Sequence, residues 1–338
     1  MFQSVRVPLV LMTALLVTSG LTSANATDVD QPNVDRVSVV IDDDAGSLTL
    51  QVDGKTAFVY RYGPSVDLPH FDPFNSVSGR PMTAKISRDH PHHRSFWVAD
   101  ERVQLEGQPE PVGLYMAVYS GVTDKAKSPW PIAPYKSRVA HVEFENLKVQ
   151  GDTASFDEKL TWMNGDIPLL DELRHYRVVA FPNGEYFFDF SFELRATYGN
   201  VTIKRDTAHY AIPYIRMNDQ FNVKKGGGKI VNSEGGINES GTHDQLAYWA
   251  DYSAPLSGSD DAEGIACMIH PSKNPPHLWL IRDYGTWGPR GATGYHNATF
   301  TIAKGEGYDQ RVGILVHEGD ASTGNVAQRY QQYSKGKL

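Results

Sequence analysis

The stretch Arg88-Asp-His-Pro-His-His-Arg94 places three of the chain's 12 histidines within four residues, between two arginines and beside Asp89. Imidazole trades protons near neutral pH better than any other side chain, and it is the commonest metal ligand. In an extended segment alternate residues share a face. His90 and His92 then point together, while His93 and Arg94 fall on different faces. So placed, His90 and His92 can hold one divalent metal or flank one substrate. The plainer alternative is a polar loop whose histidines bond to backbone. The mixture with Arg88, Asp89 and Arg94 favours chemistry, because a solvated loop has no physical need of it.

Other segments offer partners for this cluster. Upstream, Leu68-Pro-His-Phe-Asp-Pro-Phe74 and Ser78-Gly-Arg-Pro-Met-Thr83 carry His70, Asp72 and Arg80. Asp72 can pair with a His or Arg, or simply form an Asx-turn before Pro73. Downstream, Arg282, Asp283 and Tyr284 leave an apolar run together and enter Gly285-Thr-Trp-Gly-Pro-Arg290. Arg grips a carboxylate or phosphate with two donors. Tyr284 can give or take a proton, and Trp97 and Trp287 can stack on a sugar ring. An Arg–Asp pair that pins the turn is the competing reading. His270, His296 and His317 lie at or near strand ends, and Glu318 and Asp320 follow the last of them; a lone His in such a place is usually a satisfied rim residue. The chain has no G-x-S-x-G, H-E-x-x-H, Walker loop or dinucleotide fingerprint, which argues against serine esterase, zincin, kinase and dehydrogenase chemistry.

Strands must position these residues. Val37 to Ile41, Ser47 to Val52 and Thr56 to Tyr62 are short β-rich runs, the last two joined by Asp53-Gly54, a hairpin signal. Pro182-Asn-Gly184 links Tyr176–Phe181 to Tyr186–Leu194. In that second run Phe188, Phe190, Phe192 and Leu194 make one apolar face, as a half-buried antiparallel strand requires. Further runs continue to Val316, and Thr323 to Tyr333 is the one stretch that reads as a helix. These features predict an all-β fold, a large antiparallel β-sandwich with a short C-terminal helix. Residues 63–111 and 217–242 read as long loops of the kind that carry function, the second containing a Gly-rich piece without phosphate-loop spacing.

The first 26 residues read as a secretory signal: Arg6, an apolar core from Val7 to Leu21, and Ala24-Asn-Ala26 at the exit. The core falls short of the roughly 20 apolar residues that span a bilayer, so the protein is expected outside the cytoplasm, secreted or periplasmic, with residues 27–338 as one domain. The whole chain carries a net charge of −8 with His neutral, and loss of Arg6 makes the remainder more acidic still. Such a balance disfavours nucleic-acid partners, which need cations to displace counterions. Cys267, the single cysteine, excludes an internal disulfide and sits in an apolar run as a small hydrophobe.

Leu68-Pro-His-Phe-Asp-Pro-Phe74, Gly79-Arg-Pro-Met-Thr83, Asp89-His-Pro-His-His-Arg94 with Phe96-Trp97, Ala247-Tyr-Trp-Ala-Asp-Tyr252, His270-Pro-Ser-Lys-Asn-Pro275 and Trp279 to Gly285 resemble the PmoA-like family of secreted bacterial proteins. The similarity runs from Asp42 to Asp320, with D-H-P-H-H-R its most specific piece. The resemblance implies a β-sandwich and a sugar-related role. Its "methane oxygenase" label does not fit a chain without a spanning segment. Where the family commonly has His before R-D-Y-G this chain has Leu280, and where it has Asn-Pro-Phe-Gly this chain has Gly288-Pro-Arg-Gly291. Any role of that His is lost here.

The expectation is an exported enzyme acting on a carbohydrate substrate, either a lyase or a glycoside hydrolase. In a lyase, Arg94 or Arg282 would hold a uronate carboxylate, His92 or His93 would remove the adjacent proton, and Tyr284 would protonate the departing oxygen. Arg80, Asp89, Trp97, Trp287 and His317 would contact substrate. A hydrolase would need a carboxylate pair roughly 5–10 Å apart, with Asp89 and either Asp283 or Glu318 as candidates. The alternatives are a non-catalytic sugar-binding module using tryptophans, and a metal protein using His90 and His92.

Overall fold

Asp53 and Gly54 both take positive φ, 50° and 76°. That is the backbone a tight hairpin of right-twisted strands demands, and Ser47–Val52 pairs with Lys55–Arg61 across it. Gly184, at φ 85°, likewise closes the turn between Ile167–Ala180 and Tyr186–Arg195. The computed structural model describes residues 35–338 apart from 101, 116, 118–135, 205–210, 257–260 and 293–298. The expected signal segment and His296 lie outside the described residues.

Two large antiparallel sheets form the sandwich, with a small third sheet of Phe300–Ile302, Val201–Ile203 and Val103–Leu105. The eight-stranded sheet runs Lys229–Asn232, Trp249–Pro255, Ala262–Ile269, Gly307–Glu318, Tyr186–Arg195, Ile167–Ala180, Thr153–Asn164, Ser137–Gln150. The nine-stranded sheet begins with the N-terminal hairpins and continues through His70–Phe74, Phe96–Trp97, Tyr214–Arg216, Thr286–Ala292, His277–Ile281 and Leu246–Ala247. Phe58 of one sheet meets Phe188 of the other at 5.2 Å between centroids, and Phe71 meets Phe188 at the same distance. The two inner faces thus interdigitate as in other sandwiches.

The nine-stranded order matters for function. Phe96–Trp97, Tyr214–Arg216 and Thr286–Ala292 are neighbours in the sheet though far apart in sequence. The histidine-rich segment enters the first, and the Arg282–Tyr284 turn leads into the last.

The face of Tyr186–Arg195 opposite the core is not open to water as alternation predicted. Phe187 and Asp189 are buried there beneath the helix Val326–Ser334. Tyr333 packs on Phe187 at 4.9 Å and donates to Asp189, which also binds Arg311 through both oxygens. The stretches read as long loops contain strands, and residues 217–242 also contain the short helices Val223–Gly226 and Asn238–Thr242. Among the described residues no helix is long and apolar enough to cross a membrane.

Candidate functional site

The segment from Ile86 to Ser95 is a folded turn rather than an extended strand. Ile86 and Ser95 at its ends take positive φ, 53° and 71°. The Ile86 N–H donates to the His93 carbonyl, His90 N–H to Ser87, and His93 N–H to His90. The expected alternation of faces therefore fails. His90 lies flat against His93 (4.6 Å, 18° between planes), and His92 meets His93 edge-on (4.7 Å, 83°). His90 and His92 are 5.7 Å apart by ring centroid.

Two members of this segment serve as supports. Arg94, 3% exposed, grips both oxygens of Asp67 at 2.8 and 2.9 Å and donates to the Pro91 carbonyl at 2.7 Å. A buried fork–fork pair of this kind pins a turn, so Arg94 does not hold substrate. His93 is buried too. Its Nε2 shares a proton with the Tyr115 hydroxyl at 2.9 Å, and its Nδ1 lies 3.2 Å from Thr286 Oγ1. Burial, then the neighbouring His92 and Arg216, push His93 far below the ordinary imidazole range and keep it neutral.

Half-exposed groups stand on this base. The His90 ring lies parallel to that of Tyr284, centroids 5.0 Å apart with 5° between planes. Above Tyr284 sits the Arg216 guanidinium, 4.7 Å from the ring centre, with Lys224 Nζ at 5.6 Å; cations favour the negative face of such a ring. Arg216 also donates from Nη1 to Thr286 Oγ1 at 3.1 Å and from Nη2 to both oxygens of Asp89 at 3.1 and 3.2 Å. Burial pushes the Asp89 carboxyl up. The Arg216 charge and the hydrogen bonds the carboxylate accepts outweigh it and hold Asp89 well below the usual carboxylate range. His92 is pulled down to about 4, first by burial and then by His90, Arg94 and Arg216.

Arg216, Thr286 and Tyr115 escaped the sequence reading because each lies in an apolar or aromatic run with no local pattern. Sheet order is what brings them to the histidines. Of the residues singled out, Asp89, His90, His92, His93 and Tyr284 converge.

The others do not join them. Arg282 pairs with Glu239 at 2.9 Å, Asp283 accepts from the Glu239 N–H, and the Asp283 N–H donates back to Glu239. These two residues lock the turn to Asn238–Thr242. Arg80 pairs with Glu263 and covers Phe221. Trp97 and Trp287 are fully buried, Trp97 stacked on Tyr214 at 4.9 Å, so neither offers a sugar platform. His317 belongs to the eight-stranded sheet. It is buried against Asp251 at 2.7 Å, in a slot where a Cβ on Gly264 or Gly324 would overlap the ring. Asp251 raises its pKa against the opposing effect of burial. Among the described residues no three His, Cys, Asp or Glu side chains are placed to hold a metal ion. His90 and His92 have no third ligand there.

Solved structures of similar trace include the GH36 α-galactosidase AgaB from Geobacillus stearothermophilus. It is 8% identical, with a TM-score of 0.46 over 85% of this chain and 42% of that one. The galactosidase domain of α-galactosidase-sucrose kinase AgaSK (11% identity, TM-score 0.41, 83% and 42%) and galactose 1-epimerase from Lactobacillus acidophilus NCFM (11%, 0.34, 84% and 99%) are others. The chain spans about two fifths of the length of the α-galactosidases it matches. No curated protein matches. A family model described as a family of unknown function, DUF6807, matches residues 47–331, and the chain belongs to that family.

Proposed function

We propose that this protein is exported and acts on anionic, uronate-bearing carbohydrate as a lyase. The observation that carries the reading is the stack of His90 on Tyr284 beneath the Arg216 and Lys224 cations. It places a phenol and an imidazole beside positive charge. A neutral His92 takes the proton from the carbon next to the uronate carboxylate. The electron pair of that C–H bond becomes a carbon–carbon double bond as the glycosidic C–O bond breaks. The Tyr284 hydroxyl gives its proton to the departing oxygen and is reprotonated from solvent, while His92 returns the proton it took to solvent. No water is consumed. The cations stabilise the charge that builds on the carboxylate during proton removal, and acid–base catalysis by positioned groups of this kind typically contributes 10²–10⁴-fold.

The carboxylates named for a hydrolase are not arranged as a facing pair. Asp89 sits on Arg216, Asp283 caps the Glu239 N–H, and Glu318 ends a strand of the other sheet. Incubation with uronate polysaccharides should yield one ultraviolet-absorbing unsaturated end for each new reducing end, whereas hydrolysis would yield reducing ends without unsaturated ones. A purified protein that binds such polymers but never generates unsaturated ends would be a binding module instead.

A further inference from the structure

We propose that Asp89 is a built-in stand-in for the carboxylate of the saccharide, seated on Arg216, and that an incoming uronate binds by displacing it. The proposal rests on the reading of the site as one for anionic carbohydrate. Arg216 is 3% exposed, and a buried guanidinium must be paired with an anion. A permanent pair in this protein looks like Arg94 and Asp67: two nitrogens, two oxygens, both side chains 3% exposed. Arg216 and Asp89 look different. The cation is buried, but the Asp89 side chain is 53% exposed on a surface turn. Both contacts leave from Nη2 alone, at 3.1 and 3.2 Å, and the Arg216 Nε is buried without a hydrogen-bond partner among the described residues.

The guanidinium fork is therefore half used. A carboxylate that settles deeper than Asp89 reaches both Nε and Nη2, the two-pronged geometry that Arg prefers. Asp89 is half in water, so on release it is readily solvated, and the incoming carboxylate must replace the contacts that Asp89 makes with Arg216 and His90. Tyr284, lying under the same guanidinium, holds it in place through its ring. Lys224 is exposed nearby and supplies a second positive charge. The exchange admits anionic sugars and leaves neutral ones unrewarded, because a hydroxyl cannot replace the charge Asp89 withdraws.

Calorimetric titration of the whole protein with a hexuronate and with the matching neutral hexose tests this. Asp89→Asn, which keeps the side chain's shape and removes its charge, should bind the hexuronate about tenfold more tightly than the native protein and the hexose no differently. Arg216→Gln should lose the preference for hexuronate, and Arg216→Lys should restore part of it. Asp89→Asn should also melt lower when free and gain more from saturating hexuronate than the native protein does, a readout independent of the titration. If the native protein prefers hexuronate but Asp89→Asn binds it equally or more weakly, the stand-in is overturned while the anionic-sugar reading holds. If native protein and Asp89→Asn alike show no preference for hexuronate over hexose, both fall.

Discussion

Tyr284 lies flat on His90, with 5.0 Å between ring centres and 5° between planes, although the two residues precede different strands of the nine-stranded sheet, Thr286–Ala292 and Phe96–Trp97. The stack separates what the ring does from what the hydroxyl does. Tyr284→Phe keeps the stack and the cations above it but removes the proton donor. Its turnover on a uronate polymer should fall 10²–10⁴-fold with affinity nearly unchanged. Tyr284→Ala should lose affinity as well. Steady-state kinetics with both variants makes the distinction, and equal losses of affinity in the two would remove the proton-donor role.

His92 supplies the pH dependence. Burial and neighbouring positive groups pull it down to about 4, so it is neutral and able to accept a proton at any higher pH. The rate at limiting substrate should stay level as pH falls from neutrality and then decline below about 4, tenfold per unit, while circular dichroism confirms that the fold persists. A decline centred near the ordinary imidazole value would assign the base to another group.

His70 makes the fold itself acid-sensitive. It is 2% exposed, its Nδ1 donates to the Leu68 carbonyl at 2.7 Å, and its Nε2 has no hydrogen-bond partner among the described residues. Burial pulls its pKa from 6.5 down to about 3. The unfolded chain therefore takes up a proton that the folded one refuses. Stability is intact above about 6.5 and is lost progressively as pH falls towards 3, by a few kcal/mol in order of magnitude. Urea unfolding across that range should show a shallower slope for His70→Gln than for the native protein. Identical slopes would place the acid sensitivity elsewhere.

Asp67 and Arg94 fix the turn that carries the histidines. Removing one partner of a buried pair leaves the other uncompensated, so Asp67→Asn should cost about 3–5 kcal/mol. The same change should weaken saccharide binding, because the turn between Ile86 and Ser95 loses its anchor. Chemical denaturation and titration check both. A stable Asp67→Asn protein would show that the pair is not what holds the turn.

The fold was largely legible because its signals are local. Asp53-Gly54 announced its hairpin, Phe188 to Leu194 announced an inward face, and Thr323 to Tyr333 announced the helix found at Val326–Ser334. What that helix covers was not legible. Phe187 and Asp189 alternate correctly yet are both buried, because a third layer arrives from more than a hundred residues away. The site was half legible for the same reason. His90, His92 and Tyr284 stand out by type and spacing, whereas Arg216 sits in a plain strand and meets them through the strands that lie beside it. His317 and Trp287 misled because a polar or aromatic residue at a strand end looks the same in sequence whether it faces a ligand or plugs a gap between glycines.

Asp89 and Arg216 are separated by 127 positions, and Tyr284 lies further on still. No hairpin or short fragment of this chain contains all three. They meet once Phe96–Trp97, Tyr214–Arg216 and Thr286–Ala292 have lined up, and contacts of such long sequence separation form late and slowly. The convergence of these three residues is thus a property of the finished sheet, and on the proposed function a refolding population should regain its β-content before it regains any grip on sugar.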